Sequence, residues 1–397
     1  MDDQFPATRD VGLQRLSAFV PRTGRDYAAG RNSDNGPHNR ADVSGLSPYL
    51  RHRLITEQEV VQAVLAKHSL QTAEKFVQEV LWRTYWKGWL EMRPAIWTRF
   101  IEERDRIRAD FANVQEVEAA EGGSTGIEGF DDWAQELVET GYLHNHTRMW
   151  FASIWIFTLR LPWTLGADFF LRHLIDADAA SNTLSWRWVA GLQTAGKTYL
   201  ATTENIERFT RGRFAPKGLA REAVALTEGP LESPGPLPEV LERDHKAPSL
   251  LLVTPEDMCP ETLLASCEPI TGAIVVSAPS LSWGERSARF VAGAADDTMQ
   301  RMGAYFGFPA SVSPDFDAAG LVEAAEAAKV RQIMTPYAPV GPVADAMRAF
   351  TPALASAGIA LCQVRRNWDN RFWPHAKKGY FPFKERIPEI LREDRLI

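Results

Sequence analysis

The amino-acid sequence predicts a protein of two domains, an all-helical domain followed by a smaller α/β domain with a parallel sheet. The chain has 397 residues, which is more than one ordinary hydrophobic core usually accommodates. No strand-like stretch of any length occurs before residue 245, whereas apolar residues with a helical period recur throughout that part. Beyond residue 245, short apolar stretches alternate with helical segments, and this alternation is typical of a parallel sheet.

The helical pattern of the first domain is clear from Ile55 onward. Thr56 and Glu59 have the spacing of a capping box, in which each side chain bonds the backbone N–H of the other residue. Further helices are predicted for residues 69–91, 93–112, 127–141, 145–160 and 166–175, and loops for residues 20–48 and 121–126.

Residues 212–248 contain six prolines and separate the two patterns. Because proline interrupts helices and strands, we expect one domain at 1–211, a linker at 212–247 and a second domain at 248–397. Strands are predicted at Leu250–Thr254, Ala273–Ala278, Val330–Tyr337 and Ile359–Val364, and helices at 284–306, 316–328 and 341–357. No Gly-x-Gly-x-x-Gly follows any of these strands, so the sequence does not support a dinucleotide-type Rossmann site.

Charge and hydropathy narrow the function classes. The formal net charge of −7 argues against a generally basic nucleic-acid-binding surface, although a local basic patch is enough for phosphate contacts. No apolar run approaches the roughly 18 residues that a membrane span needs. The start, Met-Asp-Asp-Gln, lacks the basic and apolar parts of a signal peptide. We therefore expect a cytoplasmic protein without a membrane partner.

Cysteine is scarce in this chain, and tryptophan is concentrated in one part of it. Cys259, Cys267 and Cys362 are too few for a paired disulfide framework or a four-cysteine iron–sulfur site. We therefore expect the three cysteines to be buried and to pack as small apolar residues.

Ten of the thirteen tryptophans lie between Trp82 and Trp188. Because each buried indole N–H needs a partner, this density favours stacking or electron transfer over plain packing in a helical core.

Several motifs in the helical part occur in a recognisable order. Residues 141–191 contain Gly-Tyr-Leu-His-Asn-His-Thr-Arg-Met, Leu-Ile-Asp-Ala-Asp-Ala-Ala-Ser-Asn and Ser-Trp-Arg-Trp-Val-Ala-Gly. Ser-Gly-Leu-Ser-Pro-Tyr-Leu precedes them at 44–50, and Glu-Val-Leu-Trp-Arg at 79–83. Over about residues 5–210 the sequence resembles the FAD-binding domain of photolyases and cryptochromes. The resemblance implies that the cofactor is FAD.

The resemblance also implies how the flavin is held. Arg148 and Asp176 correspond to the ion pair against the flavin ring, and Asn182 to the residue that faces flavin N5. The remaining cofactor-binding positions that it implies are Tyr27, Ser44, Leu46, Ser47, Arg83, Asn145 and Asp178. Ser44 and Ser47 are expected to cap the following helix and bind the pyrophosphate there. Asp176 and Asp178 have no third ligand nearby in the sequence, so we expect no metal site.

The substrate-side motifs resemble those of photolyases that repair cyclobutane pyrimidine dimers. In that class two aromatic rings stack on the lesion, and these correspond to Trp82 and Trp188. Glu79, Asn145 and Met149 also match the dimer site. The histidine pair of (6-4) photolyases would fall at His144 and Asn145, and only the first is present. The resemblance therefore implies a photolyase-like lyase that repairs damaged DNA with an electron from reduced FAD.

Trp186 and Trp163 resemble the two inner members of the family's electron-transfer tryptophan chain. The third member has no counterpart, because the expected region, residues 108–112, contains no tryptophan. Trp150 and Trp155 are the candidates to replace it.

The chain departs from the family in the position of its α/β domain. Family members normally begin with an α/β antenna domain, whereas here an α/β domain follows the linker. Residues 366–387 loosely resemble the end of an antenna domain, so a permuted domain order and convergence both remain open. The sequence identifies no second, antenna chromophore.

Two alternative functions remain at this point. A blue-light sensor without repair activity would use the same scaffold. Residues 191–198 match a P-loop, Gly-Leu-Gln-Thr-Ala-Gly-Lys-Thr, which would make the protein an ATPase. A working P-loop follows a buried strand and begins a helix. The preceding residues fit a helix and the following Thr-Thr-Glu-Asn is a poor helix, so we regard the ATPase as remote.

Overall fold

The computed structural model describes residues 4–266, 268–281 and 284–397, so Cys267 lies outside the described residues. The part before residue 210 is helical: α1 Arg9–Phe19, α2 Arg25–Gly30, α3 Ser47–Arg51, α4 Glu57–Leu65, α5 Leu70–Glu91, α6 Ala95–Asp110, α7 Val114–Glu121, α8 Phe130–Thr140, α9 Asn145–Ser153, α10 Trp163–His173, α11 Ala179–Ala190 and α12 Thr203–Phe209. A π-helical segment, Ile154–Thr158, continues α9. The described residues of this part contain no strand, as the sequence predicts.

The α/β domain contains five strands and five helices among its described residues. They are β1 Ser249–Val253, β2 Ile270–Val276, α13 Glu285–Phe306, β3 Ala310–Ser313, α14 Ala318–Ala327, β4 Gln332–Pro336, α15 Pro342–Ser356, β5 Ala360–Val364, α16 Asn367–Phe372 and α17 Tyr380–Glu393. The strands pair in parallel in the order β3-β2-β1-β4-β5, so the predicted fold class is confirmed.

The two faces of the sheet pack against different parts of the molecule. Leu251 and Val253 of β1 belong to the large core that also contains the interior of the helical domain. Leu250 and Leu252 point the other way, into a separate core with side chains of α14 and α15. Alternate residues of a strand point to opposite faces, so β1 joins both cores. The helical domain thus covers one face of the sheet.

Several local predictions are confirmed and others are wrong. Thr56 and Glu59 form the capping box of α4, and Cys259 and Cys362 are buried. The predicted loop 20–48 contains the helix α2. The sequence Thr-Thr-Glu-Asn after residue 201, which we expected to be a poor helix former, begins the helix α12. The strand β3 escaped prediction because its four residues, Ala-Ser-Val-Ser, form no apolar stretch.

Residues 213–248 contain no helix or strand and run along the helical domain. The Leu226 N–H donates to the Ala190 carbonyl at 3.0 Å, and the Gly235 N–H donates to the Met92 carbonyl at 2.9 Å. These contacts fit the predicted linker, and the boundaries at 212 and 247 remain our proposal. In the described ranges, no helix is long and apolar enough to cross a bilayer.

Candidate functional site

The centre of the site is the segment between α10 and α11, residues 174–178, which we call the carboxylate loop. It holds two buried carboxylates, Asp176 and Asp178. The Arg148 Nη2 atom of α9 donates to Asp176 Oδ2 at 2.8 Å. Arg83 of α5 forms an ion pair with Asp178, and its Nη2 atom donates to the Asp176 backbone carbonyl at 3.3 Å. Two helices thus each supply a guanidinium group to this loop.

Both carboxylates are held in the ionised form. Burial raises the pKa of Asp176, but the charges of Arg148 and Arg83 and the hydrogen bonds from Arg148 and Ser47 together outweigh burial, so the pKa lies below its ordinary value. Burial likewise raises the pKa of Asp178, while the charges of Arg83, Lys87 and Arg51 bring it down to about 2. The loop therefore carries two negative charges at neutral pH, with positive groups around them.

Asp178 also begins the helix that carries the next functional residues. Its side chain accepts a hydrogen bond from the Ser181 N–H at 2.7 Å, which caps the N-terminus of α11. Asn182 is buried one turn further along, and its Nδ2 atom donates to the Ala167 carbonyl at 2.8 Å. This bond turns the amide so that its oxygen points away from Ala167. The oxygen is then the atom available to accept from a flavin N–H.

The loop before α3 differs from expectation. The N-cap of α3 is Leu46, which has no side-chain capping bond, and Ser47 is the first helical residue. Ser44 Oγ instead accepts from the Leu46 N–H at 3.4 Å. The prediction that Ser44 and Ser47 cap this helix is therefore wrong. Ser47 lies beside the Asp176 carboxylate instead and helps to lower its pKa.

Tyr27 packs with its ring edge against Phe76 of α5, 5.0 Å between ring centroids. Burial raises the pKa of its hydroxyl, which lies near the Arg31 guanidinium and the Glu79 carboxylate. Tyr27 therefore lies against α5, next to Glu79, a predicted substrate-side residue.

The predicted substrate-side residues of α5 are already in contact with other groups. Arg31, directly after α2, forms an ion pair with Glu79. The Trp82 ring stacks on Tyr380 of α17, with 3.5 Å between centroids and 11° between planes. The Tyr380 hydroxyl donates to the Gln78 carbonyl at 2.9 Å. One face of Trp82 is therefore covered by the α/β domain.

The other substrate-side residues lie on α9 and α11. Asn145 is exposed at the start of α9, and Met149 is half-buried one turn later. Trp188 is half-buried and stacks on Tyr199, with 5.7 Å between centroids and 28° between planes. Arg31, Tyr199 and Tyr380 are the contacts that sequence reasoning missed, because none lies in a motif that marks it.

The candidate electron-transfer tryptophans lie in the core between α10 and α11. Trp186 is buried, and the Trp155 ring approaches it perpendicularly at 6.2 Å between centroids. Trp163 packs against Phe100 at 5.6 Å. Trp150 packs instead against Trp133, at 5.5 Å. Of the two candidates for the missing third member, Trp155 is the one beside Trp186.

A series of contacts leads from Trp163 to Asp345 of the α/β domain. Phe100 lies between Trp163 and Trp97, with 5.5 Å between the Phe100 and Trp97 centroids. The Trp97 Nε1 atom donates to Asp345 Oδ2 at 2.8 Å, a carboxylate whose side chain is 43% exposed. Trp97 was not among the predicted electron-transfer residues.

The P-loop pattern at 191–198 lacks the structure that it needs. It follows the helix α11, which ends at Gly191 in the left-handed conformation, φ 81°. No strand precedes it among the described residues of the helical domain. The pattern therefore has the wrong context for binding the phosphates of a nucleotide.

Sequence comparison identifies the helical domain. Residues 76–215 match the family described as the FAD binding domain of DNA photolyase. The deoxyribodipyrimidine photo-lyase of Streptomyces griseus is 37% identical over 186 residues, which cover 47% of this chain and 39% of that protein. The enzyme of the same name from Escherichia coli strain K12 is 31% identical over 204 residues, 49% of this chain and 42% of that protein. The matches thus span about two fifths of these relatives.

Among solved structures, a bacterial class III photolyase from Agrobacterium tumefaciens aligns with a TM-score of 0.44 and 26% identity, covering 51% of this chain and 42% of the other. A cryptochrome from Synechocystis sp. PCC6803 aligns with a TM-score of 0.42 and 21% identity, covering 52% and 44%.

The helical domain is therefore an FAD-binding domain, and the protein is a flavoprotein. Residues 76–215 are thus similar in sequence to the FAD-binding domain of DNA photolyases.

The residues present fit the cofactor. Two buried polar atoms at the carboxylate loop and the start of α11, Asp176 Oδ1 and Ser181 Oγ, have no hydrogen-bond partner among the described residues. Buried polar groups in proteins are nearly always bonded, so this unpaired acceptor and hydroxyl fit a polar ligand. Asp176 Oδ1 can accept and the Ser181 hydroxyl can donate or accept.

Proposed function

We propose that the protein repairs cyclobutane pyrimidine dimers in DNA by light-driven electron transfer from reduced FAD. The observation that supports this most is the order of side chains on α5. Glu79 and Trp82 lie within one helical turn of Arg83, which reaches the carboxylate loop. One helix therefore brings predicted lesion contacts and flavin contacts to neighbouring positions. The relatives named deoxyribodipyrimidine photo-lyase support the same function.

Reduced FAD, when bound, supplies the light-excitable electron donor. The residues of this chain then bind and orient the two partners. Asn182 would accept from the flavin N5–H through its amide oxygen, because its amide nitrogen already donates to the Ala167 carbonyl. Trp82 and Trp188 would stack on the lesion. Glu79, in its carboxylic acid form, would donate a hydrogen bond to the carbonyl edge of the lesion. A donor fixed in advance is most effective where negative charge develops, so Glu79 should act on the repair step itself.

A lesion that enters the site must replace two contacts that are present in this structure. The lesion would replace Tyr380 on Trp82 and compete with Arg31 for Glu79. An aromatic pair contributes about 0.5–1.5 kcal/mol beyond its buried area, whereas base–aromatic stacking contributes about 1–3 kcal/mol per base. Two stacked bases can therefore offset the loss of one tyrosine. Binding should still be weaker than to an open tryptophan.

The test is illumination of the FAD-loaded, reduced protein with single-stranded DNA that contains a cyclobutane dimer. We expect blue light to restore the pyrimidines, and the dark sample to show no change. Glu79→Ala removes the donor and should lower the repair yield per bound lesion, while Glu74→Ala should not. Glu74 is a matched control, because it lies on the same helix and also forms an ion pair, with Lys384 at 2.8 Å. Absence of restored pyrimidines with full flavin loading would reject repair.

A blue-light sensor is the second candidate, and the stack of Tyr380 on Trp82 favours it. If Tyr380 always covers Trp82, a lesion cannot stack on that face. The stacked pair then connects α17 to α5, the helix that reaches the carboxylate loop. The sensor hypothesis predicts that light, without DNA, increases amide hydrogen exchange in α17. Unchanged exchange in α17 together with dimer repair would reject the sensor.

A further inference from the structure

We propose that the α/β domain is a positioning element for the flavin site, and that Glu256 acts there through Arg51. The inference rests on FAD binding by the helical domain and is independent of whether the protein repairs DNA. Its basis is a set of contacts that hold the backbone of the carboxylate loop and the end of α10 from the α/β side.

The strongest contact is made through Arg51, which is 1% exposed. Its Nε atom donates to the Ala177 carbonyl at 2.8 Å, in the middle of the loop between the two carboxylates. Its other two nitrogens donate to both oxygens of Glu256, at 2.7 and 2.9 Å. Glu256 lies after β1, so a carboxylate of the α/β domain orients the guanidinium that binds the loop.

Glu256 also sets the local charge. Lys87 of α5 is buried, and its Nζ atom lies 3.6 Å from Glu256 Oε2. The charges of Arg51 and Lys87 both act on Asp178 and lower its pKa. Without Glu256, Arg51 would have only the loop carboxylates to pair with. It would then compete with Arg83 and Arg148 for Asp178 and Asp176.

The ring of His52 lies between the Pro255 carbonyl, 2.7 Å from Nδ1, and the Ile175 carbonyl, 3.3 Å from Nε2. Burial lowers the pKa of His52 to about 3, so the neutral ring donates to only one of these carbonyls. Two further contacts bind the same backbone. Ser287 Oγ of α13 donates to the Leu174 carbonyl at 3.2 Å. The Gly284 N–H donates to the Arg172 carbonyl, and a Cβ at this glycine would clash with that oxygen.

The bonds from Arg51, Ser287 and Gly284 end on three carbonyls, those of Ala177, Leu174 and Arg172. They therefore fix the backbone from which Asp176 and Asp178 project. Precise placement of residues that touch a ligand depends on the groups that hold them. Arg51, Glu256 and Ser287 are thus positioning residues, and the α/β domain takes part in forming the flavin site.

The test is titration of FAD into the flavin-free full-length protein. Glu256→Gln should weaken FAD binding at least tenfold and change the visible absorption of the bound flavin. Ser287→Ala, which removes one neutral hydrogen bond, should have a smaller effect in the same direction. Glu268→Gln is the matched control, because Glu268 pairs with Arg243 at 2.8 Å within the α/β domain. It should bind FAD like the wild type.

A second variant separates positioning from stability. Replacing Arg51 and Glu256 together by methionine removes the buried pair, and such replacements are often tolerated. The remaining charge of Lys87 keeps the carboxylates of Asp178 and Asp369 as its neighbours. We expect this protein to unfold near the wild-type temperature without FAD and still bind FAD at least tenfold more weakly. Wild-type affinity and a wild-type flavin spectrum in the folded double variant would overturn the proposal, as would wild-type affinity in Glu256→Gln.

Discussion

The proposed flavin side and the proposed substrate side of the site are built in different ways. On the flavin side, Asp176 and Asp178 pair with arginines of two helices, and the loop backbone is bonded from both domains. On the substrate side, Glu79 and Trp82 are in contact with Arg31 and Tyr380, groups that a lesion would have to displace. The cofactor site is therefore prepared in advance, whereas the substrate site is closed. Three substitutions test this contrast.

Breaking the flavin side should have the largest effect. Asp176→Ala leaves the Arg148 guanidinium without its partner, and breaking a buried ion pair typically costs about 3–5 kcal/mol. We expect loss of bound FAD and a lower free energy of unfolding, measured by urea denaturation. The control is Glu393→Ala, which removes the partner of Arg371 in a pair at the surface. Exposed pairs contribute about 0–1 kcal/mol, so this variant should stay close to the wild type.

A smaller effect should follow from the acid dependence of the loop. The pKa of Asp178 is about 2 in the folded protein, below the value of about 3.9 for an unfolded chain. A depressed carboxyl pKa stabilises the fold above about pH 4, and this contribution is lost as the pH falls towards 2. We expect Asp178→Asn to lower the unfolding free energy by roughly 2 kcal/mol at pH 7 and much less at pH 2.

Urea denaturation at a series of pH values measures this dependence. Parallel curves for wild type and Asp178→Asn between pH 2 and 7 would contradict the assignment. The bond from Asp178 to the Ser181 N–H persists in part with asparagine, which is also a good N-cap, so the difference reports mainly on the charge.

Opening the substrate side should have the smallest effect. Tyr380→Ala uncovers one face of Trp82, and removing the competing stack of about 0.5–1.5 kcal/mol should tighten lesion binding roughly 2- to 10-fold. Fluorescence titration with dimer-containing single-stranded DNA measures the change. Phe381→Ala is the control, since Phe381 is the next residue of α17 and 78% exposed. Equal lesion affinity in Tyr380→Ala and the wild type would show that this face of Trp82 is not the binding face.

Much of the site could be predicted from the sequence because its residues lie close together on single elements. Asp178, Asn182 and Trp186 follow one another along α11 at helical spacing, and Glu79, Trp82 and Arg83 do so on α5. Such spacings place side chains on neighbouring faces of a helix whatever the rest of the chain does. The capping box of Thr56 and Glu59 is of the same local kind. The FAD-binding class of the helical domain follows from these motifs.

Only the tertiary structure decided which groups complete the site. Glu256 is 205 residues from Arg51, and Tyr380 lies in the last helix, far from Trp82 in sequence. Neither partner belongs to a motif. The sequence around a carboxylate after a strand, or around a tyrosine at the start of a helix, does not indicate which residue the side chain contacts. Their positions depend on how one face of the sheet packs against the helical domain, and that packing is set by apolar side chains from the whole length of the chain.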